Sequence, residues 1–266
     1  MLKKIIRSLN KLIKYFGSLI KLDINIASKK KYSKNILIDQ HALESSLNKD
    51  EFIKLYYQGL TKTGMEETDN FYKQCRSFTL QQMLIQVLEA GLIGNVAECG
   101  CWKGHSSYII STILKRYNFN QKFSIFDSFE GGLSSKKIED TNPRKDLNES
   151  EIQKEKLSFS SLESDLHKAL KPFDFYTLFK GWIPERFDEV SDQEFIFVHL
   201  DVDLYQPTLD GLEFFYPRLK KNGVIVIDDY GYTQFPGAKK SVDDFLGKNE
   251  CSLFLKSLTG GCLIIK

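Results

Sequence analysis

At 266 residues, 42% hydrophobic and 27% charged, the chain has the length and apolar content for one large domain or a domain with an appendage. Its formal net charge of +2 conceals an asymmetry: residues 1–34 hold ten Lys/Arg against one acid, which leaves the remainder at −7 and excludes a nucleic-acid face across the main body. Five cysteines form no C-x-x-C pair, which argues against a disulfide framework or a structural zinc site and fits a reducing, cytoplasmic setting.

No apolar run reaches the roughly 18–20 residues that a membrane span requires. Lysines also interrupt every apolar stretch that could serve as a signal-peptide core. Residues 2–22 instead place Leu2, Ile5, Ile6, Leu9, Leu12, Ile13, Phe16, Leu19 and Ile20 on one helical stripe, with lysines and an arginine opposite. Two readings stand for this basic amphipathic segment. It is an in-plane anchor at the inner face of a membrane, or a helix packed on its own domain or on a partner subunit of a homo-oligomer. Residues 28–34 then read as a linker.

A helical region covers 35–94, with helices predicted over about 50–60 and 69–90, the second stopping at Gly91. From 95 to 266 short apolar runs alternate with helical stretches. Strands are expected at 95–99, 122–127, 175–180, 194–200, 223–228, 251–255 and 262–266, with helices at about 104–117, 150–170, 207–220 and 237–247. This alternation predicts an α/β fold with a mostly parallel, Rossmann-like sheet covered on both faces. The last two strands are too close for a helix between them and should form an antiparallel hairpin. The polar stretch 131–149 is long for a connection and reads as a lid.

Three places carry chemistry. Glu98-Cys99-Gly100-Cys101-Trp102-Lys103-Gly104 follows the first strand and opens a helix, where glycines let backbone approach a ligand and free N–H groups face it. Alone this fragment also suits a plain tight turn. The second strand ends at Asp127, 29 residues after Glu98, where an acid can accept both hydroxyls of a ribose; the plainer alternative is an acidic cap for the following turn. Then His199-Leu200-Asp201-Val202-Asp203 ends one apolar strand and Asp228-Asp229 the next. Four carboxylates at one edge repel each other unless something positive sits among them, and a hard divalent cation such as Mg²⁺ takes oxygen ligands. His199 itself reads as a satisfied core histidine. His105 and Ser106 open a helix and either cap it or touch the ligand.

In order along the chain, Glu98–Gly104, Asp127-Ser-Phe-Glu-Gly131, Leu200-Asp-Val-Asp-Leu-Tyr205, Tyr216-Pro-Arg-Leu, Gly223–Gly231 and Gly237–Asp243 resemble the macrocin O-methyltransferase family. That family includes sugar O-methyltransferases of macrolide and aminocoumarin pathways, with the class I methyltransferase sheet. The resemblance implies S-adenosylmethionine as methyl donor and a hydroxyl of a small molecule or glycan as acceptor. It implies that Glu98 and Gly100 border the donor's methionine, with Cys101 and Ser106 close by, that Asp127 and Ser128 hold its ribose, and that Gly181 and Trp182 lie on the adenine side. Asp201, Asp228 and Asp229 would be the metal ligands. Asp201, which would also touch the donor, is the first choice of general base and Asp203 the second. Thr61, Thr63 and Gly64 resemble a segment that folds over the site.

Two rivals remain at this stage. A nicotinamide-dependent oxidoreductase would share the glycine turn and Asp127, and Tyr216-x-x-x-Lys220 has a dehydrogenase dyad's spacing, but those residues end a helix at the opposite edge. A membrane-peripheral donor-binding protein without turnover is the other.

Overall fold

The computed structural model describes residues 51–141, 149–257 and 259–266. The stripe at 2–22 and the linker after it lie outside the described residues. Among the described residues, no helix is long and apolar enough to cross a membrane.

Helices α1 (Glu51–Thr63) and α2 (Phe71–Glu89) precede the sheet. Asn70 caps α2 by accepting the backbone N–H of Lys73 at 3.0 Å, and Gly91, at φ +71°, ends it where sequence places the stop. Strands β1 (Asn95–Cys99), β2 (Phe123–Asp127), β3 (Tyr176–Lys180), β4 (Phe195–Leu200), β5 (Leu219–Ile227), β6 (Leu253–Lys256) and β7 (Cys262–Ile265) form one sheet in the order β3-β2-β1-β4-β5-β7-β6. All pairings are parallel except those of β7, which runs antiparallel to both β5 and β6. The expected parallel sheet with a closing hairpin is therefore the fold observed.

The inner strands β1, β2, β4 and β7 and the second half of β5 are buried on both faces, so they read as continuous apolar runs. Val96, Phe123, Ile125, Val224 and Val226 pack beneath α1, α2 and α3 (His105–Arg116). Ala97, Phe126, Val198, Ile225 and Ile227 face α6 (Tyr205–Arg218) and α7 (Pro236–Leu246). Phe126 stacks on Phe179 and meets Phe187 and Phe215 edge-on, filling the second layer.

Two elements differ from the sequence reading. The single helix expected over 150–170 is two, α4 (Glu149–Ser158) and α5 (Glu163–Leu170). Only the second buries an apolar face, through Leu166, Ala169 and Leu170, and α4 buries none. Strand β5 begins four residues earlier than expected, because Leu219 already pairs with Phe195 across an irregular register. The expected lid is anchored at its start: Leu133 packs with Leu204 and Phe235, and Asp140 is buried. Asp140 Oδ1 accepts the N–H of Tyr205 at 2.7 Å and so caps α6, whose own N-cap residue, Leu204, cannot.

The strand order reverses between β1 and β4, which in open α/β sheets is where ligands bind. There the chain after β1 passes hard against the chain after β4. Gly100, at φ +80°, lies so near that an added Cβ would overlap the carbonyl oxygen of Asp201. Gly100→Ala is expected to destabilise the domain by more than the roughly 1–3 kcal/mol of backbone strain alone. Urea unfolding reads this, and an unchanged midpoint would show that the two turns do not press together.

Candidate active site

A cavity of about 720 Å³ opens at the carboxyl ends of β1, β2, β4 and β5, within the range of small-molecule sites. Its floor is the glycine turn. Asp127 holds that turn in shape: its Oδ2 accepts the N–H groups of Cys101 and Trp102 at 2.9 and 3.0 Å, and its Oδ1 that of Phe129 at 3.1 Å. Trp102, at φ +47°, is thereby fixed in a left-handed conformation that few bulky residues adopt. Gly104 opens α3 with no side chain capping its first turn, leaving backbone donors toward the cavity. Cys101, Ser106, Asp127, Ser128, Gly181 and Trp182, expected above to meet the donor, all line the cavity.

Glu98 does not line it. Its carboxylate is fully buried, accepts the hydroxyl of Ser107 and pairs with His199 Nδ1 at 2.9 Å. Its carboxylate is directed to Ser107 and His199 instead, so Glu98 ties α3 to β4 underneath the turn. Burial alone would lower the His199 pKa, but the hydrogen bond and charge of Glu98 raise it to about 9. His199 is thus buried with its Nδ1 satisfied by Glu98, and it also borders the cavity.

His105 is also accounted for structurally. Its Nε2 lies 3.1 Å from the carbonyl of Tyr56, and its ring meets Tyr56 edge-on, so it clamps α1 to α3. Burial lowers its pKa to about 4, which keeps it neutral. Thr61 and Thr63 fall within α1, and it is Met65 that reaches the cavity wall. Cys99 packs in the core, fully buried.

Asp201, Asp203, Asp228 and Asp229 all line one rim of the cavity. Leu200 pairs with Ile227 in register, so the residues that follow must come out side by side. Asp203, at φ +60°, turns its side chain back into the rim before α6 starts. One ligand oxygen each from Asp201, Asp203 and Asp229 lies within 4.8 Å of the others. This is not the trio Asp201, Asp228 and Asp229 implied by the sequence resemblance. Asp228 instead forms an ion pair with Arg76 from α2, and Arg76 also stands 3.7 Å from Asp229.

Arg76 is the rim-contacting cavity residue that sequence reasoning missed. With Lys73, it is the only basic residue on α2, and the two line the cavity one turn apart. That isolated basic pair, on a helix whose one other charged residue is Glu89 at its far end, is the signal that could have revealed them. One guanidinium does not balance four carboxylates. Desolvation, then the neighbouring Asp228 charge, raises Asp201 to about 6, and desolvation together with the other acids pushes Asp203 and Asp229 well above the carboxylate range. Asp229 Oδ2 is buried with no hydrogen-bond partner. An orphaned acceptor among converging oxygens suits a hard divalent cation, which takes oxygen ligands and tolerates open positions.

Nothing here supports a dehydrogenase dyad. Tyr216 donates to the carbonyl of Glu250, and Lys220 pairs with Glu194 at 2.8 Å, both away from the cavity.

The solved structures with this architecture include the O-methyltransferase NovP, at a TM-score of 0.65 and 18% identity over 82% of this chain and 99% of that one. The calicheamicin methyltransferase CalS11 aligns at a TM-score of 0.53 and 17% identity, over 89% and 94%. Among curated proteins, the 8-demethyl-8-(2,3-dimethoxy-α-L-rhamnosyl)-tetracenomycin-C 4′-O-methyltransferase of Streptomyces olivaceus is 26% identical over 200 residues, 71% of this chain and 68% of that protein. The mycinamicin III 3′′-O-methyltransferase of Micromonospora griseorubida is 26% identical over 201 residues, 72% of each. The macrocin-O-methyltransferase (TylF) family model matches residues 32–262, which takes in every element of the sheet up to the start of β7. The chain belongs to the macrocin O-methyltransferase family, enzymes that draw a methyl group from S-adenosylmethionine.

Proposed function

We propose that this enzyme methylates a hydroxyl of a sugar or glycoside and does so with a divalent cation, Mg²⁺, held in its aspartate rim. The observation that carries the reading is the convergence of Asp201, Asp203 and Asp229 beside the glycine turn, with one oxygen of Asp229 buried and unpartnered. The sugar acceptor is supported by the relatives, one of which is named for a rhamnosyl substrate.

S-adenosylmethionine supplies an electrophilic methyl on a sulfonium, and a bound cation supplies Lewis acidity that makes a sugar hydroxyl easier to deprotonate. The chain's own residues do the rest. Asp127 and Ser128 meet the donor ribose, while Gly100, Cys101 and Ser106 border its methionine portion. Gly181 and Trp182 close the adenine side, where Trp182 is steadied by its indole N–H donating to Glu130 at 2.8 Å. Asp201, with Asp203 as second candidate, takes the hydroxyl proton as the oxygen bonds to the methyl carbon and the carbon–sulfur bond breaks. The products are a methyl ether and S-adenosylhomocysteine. Removing water from around the acids strengthens each of these electrostatic contacts.

The acceptor side of the cavity combines Tyr232, Phe235 and Phe159 with Gln234 and Lys137. Tyr232 stacks on Phe235, giving an apolar platform with polar groups at its margin, a combination suited to the faces and edges of a sugar ring.

Asp201→Asn and Asp229→Asn are each expected to lower the rate by roughly 10²–10⁴-fold. Binding of S-adenosylhomocysteine, measured by calorimetry, should stay within a few fold of wild type. Full activity of both variants in chelator would end the cation reading. Comparing Asp203→Asn with Asp228→Asn identifies the third ligand, since that substitution abolishes Mn²⁺ binding and the other only slows turnover. For the acceptor, incubation with nucleotide sugars and glycosides is expected to give products heavier by one CH₂ on mass spectrometry. Transfer only to catechols or carboxylates would exclude a sugar.

A further inference from the structure

Arg76 stands where a cation should be. The rim holds four carboxylates, and Lys73 lines the same cavity over the Trp102 ring. Arg76 is therefore the counter-charge in direct contact with the acids, through Asp228 and, at 3.7 Å, Asp229. The bridge is unfinished on both sides. Arg76 Nε is buried without a partner, and so is Asp229 Oδ2. A guanidinium serving as a permanent structural anchor would use its fork of donors fully, as bidentate arginine–carboxylate pairs do. This one meets Asp228 through Nη1, leaves its buried Nε unused and leaves an adjacent acceptor open.

The position is set by α2. Lys73, Arg76, Ser77 and Leu80 fall three or four residues apart and all reach the cavity, so one face of the helix covers the rim. Tyr232, from the loop after β5, lies 6.0 Å from the guanidinium and borders it on another side. A divalent ion drawn into the rim would meet Arg76 at close range, and like charges there repel strongly because little water screens them.

We infer that Arg76 is the rim's resident counter-cation, which competes with the divalent ion for the aspartates and so sets that ion's affinity. Arg76 holds Asp228 while the rim lacks an ion, which explains why the converging oxygens are those of Asp201, Asp203 and Asp229. When an ion enters, the guanidinium yields Asp228. Arg76 is in this sense a positioning residue, acting through the carboxylates. The inference rests on the cation reading above and adds to it a residue on an element outside the sheet.

The test uses the full chain and Mn²⁺ alone, titrated by calorimetry. Arg76→Met is expected to bind Mn²⁺ about tenfold more tightly than wild type, equivalent to ~1.4 kcal/mol. In chelator the same variant should melt at a lower temperature than wild type, and saturating Mn²⁺ should close that gap. A residue with a merely structural role would weaken Mn²⁺ binding or leave it alone. Arg76→Lys keeps the charge and should stay within about threefold of wild type. Binding of S-adenosylhomocysteine certifies that each variant has folded, and Arg76→Gln replaces the methionine variant should that one fail. Unchanged or weaker Mn²⁺ binding by a folded neutral variant overturns the role of Arg76 while leaving the cation reading intact. No Mn²⁺ binding by wild type overturns both.

Discussion

Crowded negative charge at the ends of two neighbouring strands governs the architecture of this site. Because β4 and β5 run parallel with Leu200 opposite Ile227, the strands release Asp201 and Asp228 at the same height. Backbone register thus brings Asp201 and Asp228 together, and the turns that follow add Asp203 and Asp229. The fold answers this crowding at several levels. Arg76 reaches in from α2, and the pKa values of Asp201, Asp203 and Asp229 rise because their charged forms are disfavoured. An entering cation would answer what remains. A site that must be so compensated stores free energy that ligands can release on binding.

A second layer underneath keeps that rim in place. Glu98 belongs to the motif that first drew attention to the glycine turn, yet its carboxylate never reaches the cavity. It joins Ser107 on α3 to His199 on β4 and thereby locks together the two segments flanking the switch in strand order. Asp140 does a comparable job from the far side, capping α6 from the segment after β2 and fixing where the Asp201–Asp203 turn ends. An added Cβ at Gly237 would strike the Asp140 carboxylate, so α7 also closes on this cap.

Most of the sheet was legible because each strand is a short, continuous apolar run, a pattern that burial on both faces demands. The two-helix break at 159–162 was not legible, since α4 buries no residue and its polar sequence carries no period tied to packing. Cavity-lining residues fixed by strand ends, such as Asp127, Asp201 and Asp229, were readable from position alone. The role of Glu98 was not, because a carboxylate at that place could face either ligand or core, and only the distant His199 decides it. Arg76 escaped for a similar reason: its partners are more than 150 positions away in sequence and meet it only through the packing of α2. Local pattern reveals which residues can do chemistry, and tertiary packing reveals which of them are already engaged.

Asp127 shows how far such engagement can reach. Its carboxylate already grips three backbone amides of two separate loops, at Cys101, Trp102 and Phe129. An acid proposed to hold a ribose as well would serve two clients with the same pair of oxygens. Occupancy by the nucleoside and stiffness of the floor beneath it then become one thermodynamic variable: what tightens the first also settles the second. A neutral replacement at this position would loosen the scaffold along with the ligand, so its apparent affinity loss would overstate the strength of any single hydroxyl contact.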